Sequence, residues 1–253
     1  MSNKNCILIN DHFQNYKVYS IPKAQLIIAD IPYNIGKNAY GSNPSWYING
    51  DNSNGESNLA NKEFFDTDKD FRITEFLHFC SKMLVKEPKE AGKAPCMIVF
   101  CEFEQQFELI QKAKEYGLNN YINLVFRKNF SAQVLKANMR IVGNCEYALL
   151  LYRDKLPKFN NDGRMIFNCM DWKKDTKTPK IHPTQKPVEL LKRLIEIFTD
   201  VGDVVIDPCA GSGTTLLAAA QLNRKAYGFE IKKDFCKMAE EKILKNIQTN
   251  LIF

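Results

Sequence analysis

The chain alternates apolar segments of strand length with longer amphipathic segments of helical length, and this alternation restricts its fold more than any other feature. Several apolar runs are continuous, which is typical of strands buried on both faces of a sheet. The pattern predicts an α/β fold, a mostly parallel sheet with helices on both faces. The predicted strands are 6–9, 26–29, 96–101, 121–126, 147–152, 204–207 and 226–230, and the predicted helices are 72–85, 104–116, 187–198, 214–222 and 233–247.

The composition indicates a globular protein with one full core. The chain has 253 residues, of which 45% are hydrophobic and 11% aromatic, and this excludes a disordered or low-complexity chain. Its apolar runs are far shorter than the ~20 residues of a membrane span, and its start does not resemble a signal peptide, so we expect a cytoplasmic protein. Eight scattered cysteines without Cys-x-x-Cys spacing, and only three histidines, favour buried thiols over a metal site or disulfides.

The positive charge of the chain is confined to one stretch. The formal net charge is +6, and residues 153–193 hold eleven basic and five acidic side chains, which accounts for the whole excess. Turn-forming residues and few apolar ones predict mostly loop here. A basic loop with a nearby aromatic, Trp172, is able to follow a phosphate backbone, but a solvated connector explains the charge equally well.

A glycine turn connects a predicted strand to a predicted helix at Asp207-Pro-Cys-Ala-Gly211-Ser-Gly213-Thr-Thr. Glycines there allow positive φ and a close approach of the backbone to a ligand. Glu230 ends the next strand, where a carboxylate is placed to bind both hydroxyls of a ribose. No Walker lysine follows Gly213, and Leu216 stands where the dinucleotide fingerprint needs a third glycine. The motif favours a nucleoside without phosphates, such as S-adenosylmethionine, with an ordinary strand–helix turn as the alternative.

A second turn follows the apolar run 26–29 and reads Asp30-Ile31-Pro32-Tyr33. Pro32 fixes its own φ and restricts Ile31 to extended geometry, so the turn is stiff. Asp30 and Tyr33 then project at the carboxyl edge of the sheet, where open α/β sheets bind ligands. From these four residues alone, a plain strand-ending turn remains an alternative.

Taken in order, Asp30-Ile-Pro-Tyr33, His182-Pro-Thr-Gln-Lys-Pro187 and the Asp207–Thr215 glycine turn resemble the β group of DNA amino-methyltransferases. The resemblance covers nearly the whole chain. It implies a circularly permuted, Rossmann-like S-adenosylmethionine-dependent methyltransferase fold with a seven-stranded sheet. One domain, 1–253, would consist of a catalytic half (1–152), a basic loop (153–186) and a cofactor half (187–253).

The resemblance also implies the roles of individual residues. In this group the N-terminal strand lies beside the strand that ends at Glu230, and its following acidic residue, Asp11, meets the cofactor adenine. Lys186 would pair with the cofactor carboxylate. The implied cofactor-binding residues are Asp11, His182, Thr184, Lys186, Asp207, Cys209, Gly211, Gly213, Thr214 and Glu230.

The implied catalytic residues are Asp30, Ile31, Pro32 and Tyr33, which would act on adenine N6 of a flipped-out base. Family members with Asp at the first position of this tetrapeptide mainly methylate adenine. Methylation of cytosine N4 is the nearest alternative. Two departures from the family pattern, Ile31 for proline and Cys209 for phenylalanine, keep open a DNA-binding protein with an inactive site. RNA as the substrate is a further alternative.

Double-stranded DNA is the implied partner, with a homodimer and a cognate restriction nuclease as further possibilities in a bacterial or phage setting. Without a separate recognition domain, we expect a short recognition sequence. The basic stretch and the 34–61 loop would contact DNA. The resemblance therefore favours DNA contact over a solvated connector as the role of the basic stretch. The predicted DNA-binding residues are Asn34, Lys37, Trp46, Arg127, Lys128, Lys173 and Lys174, and no metal site is predicted.

Overall fold

The structure is a computed structural model that describes residues 6–33, 71–129, 133–136, 141–182, 184–245 and 247. Its strands are β1 (Cys6–Ile9), β2 (Leu26–Asp30), β3 (Cys96–Cys101), β4 (Asn120–Lys128), β5 (Gln133–Lys136), β6 (Ile141–Gly143), β7 (Cys145–Tyr152), β8 (Cys169–Trp172), β9 (Val204–Asp207) and β10 (Lys225–Phe229). Its α-helices are α1 (Ile73–Met83), α2 (Gln105–Glu115), α3 (Val188–Phe198), α4 (Thr214–Gln221) and α5 (Lys233–Met238).

Eight strands form one sheet in the order β1-β10-β9-β2-β3-β7-β4-β8. All neighbours are parallel except β7, which runs antiparallel to both β3 and β4. The predicted α/β fold with a mostly parallel sheet is therefore confirmed. The sheet has one strand more than predicted. This strand, β8, lies in the stretch predicted as mostly loop, where it has too few apolar residues to show a strand pattern. A separate antiparallel pair, β5 and β6, was not predicted either.

The first and last strands of the sheet along the chain pair with each other. Strand β1 is parallel to β10, with Cys6 opposite Ala226 and Ile9 opposite Phe229. This confirms the predicted neighbours at this edge of the sheet. Circular permutation of the domain stays a prediction.

The core consists of two apolar layers, one on each face of the sheet. Strands β2 and β3 are buried on both faces, as their continuous apolar runs predict. Helix α3 covers one face with a stripe that includes Leu191, Leu194 and Ile195 at helical spacing. Helix α1 covers the other face with Phe76, Phe79 and Cys80. The rigid sheet fixes the positions of the strand ends.

Two smaller elements differ from the predicted helices. A 3-10 helix spans Phe13–Val18, and the predicted helix 233–247 is α-helical only to Met238 and continues as a π-helix over Ala239–Leu244. Among the described residues, no helix is long and apolar enough to cross a membrane.

Candidate active site

Three neighbouring parallel strands, β10, β9 and β2, end at one edge of the sheet, beside a cavity of about 300 Å³. Because parallel strands present their carboxyl ends together, Asp30 meets Asp207 and Glu230 here, although it lies far from them along the chain. The predicted residues that line the cavity are Asp30, Ile31, Pro32, Tyr33, His182, Thr184, Lys186, Asp207, Cys209, Gly211, Thr214 and Glu230.

The glycine turn forms one wall of the cavity around the Glu230 carboxylate. Gly211, with φ of 51°, donates its N–H to Glu230 Oε2 at 2.9 Å, and the Lys232 N–H donates to Oε1 at 2.7 Å. Burial raises the pKa of Glu230, while these two N–H groups oppose the rise. Each oxygen keeps a lone pair that could accept a ligand hydroxyl. Gly228, on β10, allows Leu216 of α4 to pack closely, because a Cβ there would lie 2.7 Å from its Cδ1.

Asp207 lies deeper in the same wall and is 3% exposed. Its Oδ1 accepts the N–H of Cys209 at 3.0 Å, which fixes the start of the turn. Burial raises the pKa of Asp207 to about 7, against a hydrogen bond from Thr215 and the bond from Cys209 that lower it. The carboxyl group therefore takes up a proton far more readily than an ordinary aspartate does.

The Asp30–Tyr33 turn forms the opposite wall and is held at each residue. Ile31 donates its N–H to the carbonyl of Phe100 at 3.2 Å. The carbonyl of Pro32 accepts from Gln105 Nε2 at 2.8 Å. Tyr33 donates its hydroxyl to Glu146 Oε2 at 2.9 Å. The turn is therefore rigid despite the loss of one proline.

Asp30 presents its two oxygens differently. Oδ2 lies 2.5 Å from Lys186 Nζ. Oδ1 is buried, and no residue that the structure describes donates a hydrogen bond to it. A buried carboxylate oxygen without a donor is costly in a folded protein, so its position points to a ligand that supplies one.

His182 lies over the glycine turn, with its ring 4.7 Å from that of Phe235, measured between centroids. Its Nδ1 lies 3.1 Å from the Thr184 hydroxyl. Burial and, to a smaller extent, the charge of Lys186 lower the pKa of His182 to about 4, so the ring is neutral at pH 7. A neutral ring in this place contributes shape and hydrogen bonding to the cavity, not charge.

Comparison with protein families decides the class of this site. The family model described as DNA methylase matches residues 24–241, most of the chain. The chain belongs to the DNA methylase family. The match includes both walls of the cavity, the one formed by Asp30–Tyr33 and the one formed by the glycine turn.

Two individual relatives give the same family. The DNA adenine methyltransferase YhdJ of Escherichia coli (strain K12) is 27% identical over 92% of this chain and 80% of its own length. The Type II methyltransferase M2.DpnII of Streptococcus pneumoniae is 37% identical over 39% of this chain. This methylase aligns with only 38% of M2.DpnII and with 66% of another E. coli relative, YubD.

Solved structures confirm the fold. The M1.HpyAVI-SAM complex superposes with a TM-score of 0.63 at 21% identity, covering 92% of this chain and 97% of that one. The PvuII DNA methyltransferase (cytosine-N4-specific) gives a TM-score of 0.68 at 15% identity, covering 97% and 92%. The methylase therefore has the fold of S-adenosylmethionine-dependent methyltransferases.

Two predicted cofactor residues of the methylase lie away from the cavity lining. Asp11 accepts hydrogen bonds from the His12 N–H, the Asn15 amide and the Tyr19 hydroxyl, at 2.7, 2.8 and 2.6 Å. Its neighbours His12 and Phe13 line the cavity instead. Gly213, with φ of 75°, starts α4 and faces Ala239 and Leu244. Its conformation shapes the turn without direct access to a ligand.

Lys186 lines the cavity and is surrounded by carboxylates of this chain. Its ammonium group lies between Asp30 and Glu146, at 2.5 and 3.5 Å, and the side chain is 5% exposed. Two carboxylates already offset its charge, so the contacts give no support for the predicted pairing with a cofactor carboxylate.

The predicted DNA-binding residues fall into three groups. Lys173 and Lys174 are exposed, and Arg127 is exposed but paired with Asp171 at 2.8 Å. Lys128 is a poor candidate, because its ammonium group is buried against Glu146 and lies 5.0 Å from the Trp172 ring. Outside the described residues lie Asn34, Lys37 and Trp46.

The sequence analysis placed Trp172 wrongly and did not identify two residues near the site, Glu146 and Phe235. Trp172, expected on a basic loop, is 5% exposed and packs against Phe126. Glu146 was not predicted, although an acidic residue directly before the apolar run 147–152 is an anomaly that could have indicated it. Phe235, on the first turn of α5, was also missed and lines the cavity.

Proposed function

We propose that this DNA methylase transfers the methyl group of S-adenosylmethionine to the N6 atom of adenine in double-stranded DNA. The observation that carries the proposal is Asp30, which lines the same cavity as Glu230 and the glycine turn and has a buried oxygen, Oδ1, without a hydrogen-bond donor among the described residues. One wall suits a nucleoside, and the other suits an amino group that donates hydrogen bonds.

The cofactor is S-adenosylmethionine, and the residues of the glycine-turn wall fit it. The Glu230 carboxylate lies where two ribose hydroxyls would donate to it, and Cys209 and Phe235 provide apolar surface nearby. No phosphate-binding lysine is present in the turn, in agreement with a nucleoside that carries a sulfonium group. When bound, this cofactor supplies a methyl group that is already electrophilic.

The Asp30–Tyr33 turn would activate the acceptor by position. The amino nitrogen of adenine is a weak nucleophile, because its lone pair is delocalised into the ring. If the Asp30 carboxylate and the Ile31 carbonyl accept its two N–H bonds, the nitrogen is drawn toward tetrahedral geometry and its lone pair is aimed into the cavity. The new N–C bond forms as the S–C bond breaks, and the proton leaves the nitrogen afterwards. Positioning and fixed dipoles would supply most of the rate gain.

The target base would have to leave the duplex to reach this wall. An amino group inside a DNA helix is inaccessible, so the base is expected to flip outward. Tyr33, whose hydroxyl is anchored to Glu146, would then stack on it. Stacking of a base on an aromatic ring contributes about 1–3 kcal/mol.

The DNA backbone would lie against an exposed basic surface, which we define by Arg164, Lys173, Lys174, Lys177 and Lys180. Other basic residues of the same stretch have structural partners: Arg153 donates to the carbonyls of Ser81 and Val85, and Lys158 pairs with Asp200 and Asp203. The whole stretch is therefore not a uniform DNA surface. A short recognition sequence, a homodimer, a cognate restriction nuclease and action in a bacterial cytoplasm belong to the same proposal.

The test is methyl transfer with identification of the product. The full chain is incubated with tritiated S-adenosylmethionine and unmethylated bacterial DNA, and the DNA is digested to nucleosides for mass spectrometry. N6-methyldeoxyadenosine is the expected product, and sequencing with modification detection should give a site shorter than eight base pairs. N4-methyldeoxycytidine would establish the alternative base. Cofactor binding without transfer to DNA or to RNA would contradict an enzyme.

A further inference from the structure

A largely buried cluster of four charged side chains, Asp30, Lys186, Glu146 and Lys128, extends from the Asp30–Tyr33 wall of the cavity into the protein, and it includes the Tyr33 hydroxyl. The side chains of Lys186, Lys128, Glu146 and Asp30 are 5%, 11%, 16% and 23% exposed. They come from the end of β2, from β4 and β7, and from the turn before α3. Two ammonium groups face two carboxylates, so the cluster is neutral as a whole.

Lys186 favours the ionised form of Asp30. Burial raises the pKa of Asp30 above its ordinary value, and the Lys186 ammonium group 2.5 Å away is the strongest influence that limits this rise. Without this cation, a carboxyl group in this position would take up a proton more readily. The ion pair occupies Oδ2, so Oδ1 is the oxygen of Asp30 that has no hydrogen-bond donor among the described residues.

The surroundings of Lys186 hold it in its charged form. Burial alone would lower its pKa, but the Asp30 and Glu146 carboxylates raise it above the ordinary value. The ammonium group also lies 5.1, 5.6 and 5.7 Å from the ring centroids of Phe100, Tyr33 and Trp172. Aromatic faces at these distances attract a cation. The site is built for a lysine that does not release its proton.

Glu146 in turn fixes Lys186. One of its oxygens pairs with Lys128, and the other accepts the Tyr33 hydroxyl at 2.9 Å and lies 3.5 Å from Lys186. Burial raises the pKa of Glu146, but Lys186 and Lys128 more than offset this and lower it. Removing one member of such a cluster leaves an uncompensated buried charge, so the members act together.

We propose that Lys186 is a positioning residue, held by Glu146, that keeps the Asp30 carboxylate ionised and turns its Oδ1 toward the amino group of the target base. The inference rests on the proposed function and deepens it. It also replaces the predicted role of Lys186 as a partner of the cofactor. The titratable groups that interact electrostatically with Asp30 or Lys186 are Tyr33, Cys101, Glu146, His182, Asp207 and Cys209.

The kinetic test compares K186M, K186R and E146Q with a matched control, K192M, which removes a lysine of α3 outside the cavity. K186M should lower kcat about 100-fold at pH 7, in the range found when one fixed charge-stabilising group is removed. In the pH–rate profile of K186M, the acid limb should move up by about one to three pH units, because Asp30 loses the cation that favours its ionised form. In E146Q the acid limb should move down instead, because the Glu146 charge raises the pKa of Asp30. K186R should recover part of kcat, and K192M should match the wild type.

Calorimetric titration with S-adenosylmethionine separates the two roles of Lys186. The dissociation constant of K186M should stay within about threefold of the wild type. A large loss of cofactor affinity, with kcat restored at saturating cofactor, would overturn the proposal in favour of the cofactor carboxylate. An unchanged pH profile in K186M would also overturn it, since a purely structural lysine would not move the acid limb.

A second measurement does not depend on transfer. The ¹³C chemical shift of the Asp30 carboxyl group, assigned by its loss in D30N, reports its protonation directly. Its titration midpoint should be higher in K186M than in the wild type by at least about one pH unit. An equal midpoint would overturn the positioning role even if transfer is normal. If the wild type transfers no methyl group, the proposed function fails, and this titration still decides the role of Lys186.

Discussion

The two walls of the cavity hold their carboxylates in different ways. At the Asp30–Tyr33 wall, called the base wall after its proposed ligand, an ammonium group balances Asp30 within a neutral cluster of four charges. At the glycine-turn wall, called the cofactor wall after its proposed ligand, Asp207 and Glu230 accept backbone N–H groups, and burial raises the pKa of both. A cation and backbone N–H groups both favour the ionised form, but burial outweighs them and the pKa of all three carboxyl groups is raised. The two walls therefore differ in what orients the carboxylate, which is a side-chain ammonium group at one wall and backbone N–H groups at the other.

Removal of the Asp30 carboxylate tests most strongly whether the two walls have separate roles. D30A should lower methyl transfer at least about 1,000-fold, because the acceptor loses the group that orients it. S-Adenosylmethionine should still bind within about threefold of the wild-type affinity, as measured by calorimetry. Loss of cofactor binding in D30A would mean that the two walls are not separate.

The complementary change acts on the cofactor wall. E230Q keeps the size of the side chain but loses the charge that would strengthen two ribose hydrogen bonds, so cofactor affinity should fall about 10- to 100-fold. Calorimetry gives the affinity, and transfer assays at saturating cofactor should recover most of kcat. A variant that binds normally but transfers slowly would contradict the division between the walls.

A third change should affect neither wall. Charge reversal in K173E/K174E should weaken DNA binding about tenfold in low salt and flatten its dependence on salt concentration, because fewer counterions are released. Fluorescence anisotropy with a labelled duplex measures this, and cofactor affinity serves as the internal control. An unchanged salt slope would remove these lysines from the DNA surface.

The smallest expected effect concerns the raised pKa of Asp207. Its folded pKa of about 7 lies above the ordinary value of 3.8, so its contribution to stability is present at low pH and is lost as pH rises through 7. D207N should therefore weaken the fall in stability between pH 5 and 8. We expect the change in Tm over this range to differ by about 5 °C between the two proteins in thermal melts. Parallel curves would show that Asp207 is ionised throughout.

The sequence predicted the fold well where local patterns are strong. The buried strands β2, β3 and β9, the stripe of α3 and the glycine turn all follow from runs and spacings that are visible in the chain. Strand β8 has only four residues, Cys169–Trp172, beside charged neighbours, and its identity depends on pairing with β4. No local pattern contains that long-range information.

The site was predicted in part for the same reason. Motif residues such as Asp30, His182 and Glu230 carry a recognisable spacing, and the structure brings them to one cavity. The partners of Lys186 could not be read from its hexapeptide, because Glu146 reaches it from a strand 40 residues earlier. Whether a lysine meets a cofactor or a carboxylate is decided by which strand ends lie beside it.

The pairing of β1 with β10 affects how the chain can fold as it is synthesised. Strand β1 leaves the ribosome before the other strands of its sheet, and its partner ends at Phe229, some 220 residues later. At 5–20 residues per second, β1 waits on the order of 10 to 40 s for this partner. During that time S-adenosylmethionine cannot act as a folding aid, because Glu230 has not yet been made. Factors that shield an unpaired strand edge during translation should therefore raise the yield of active enzyme more than added cofactor does.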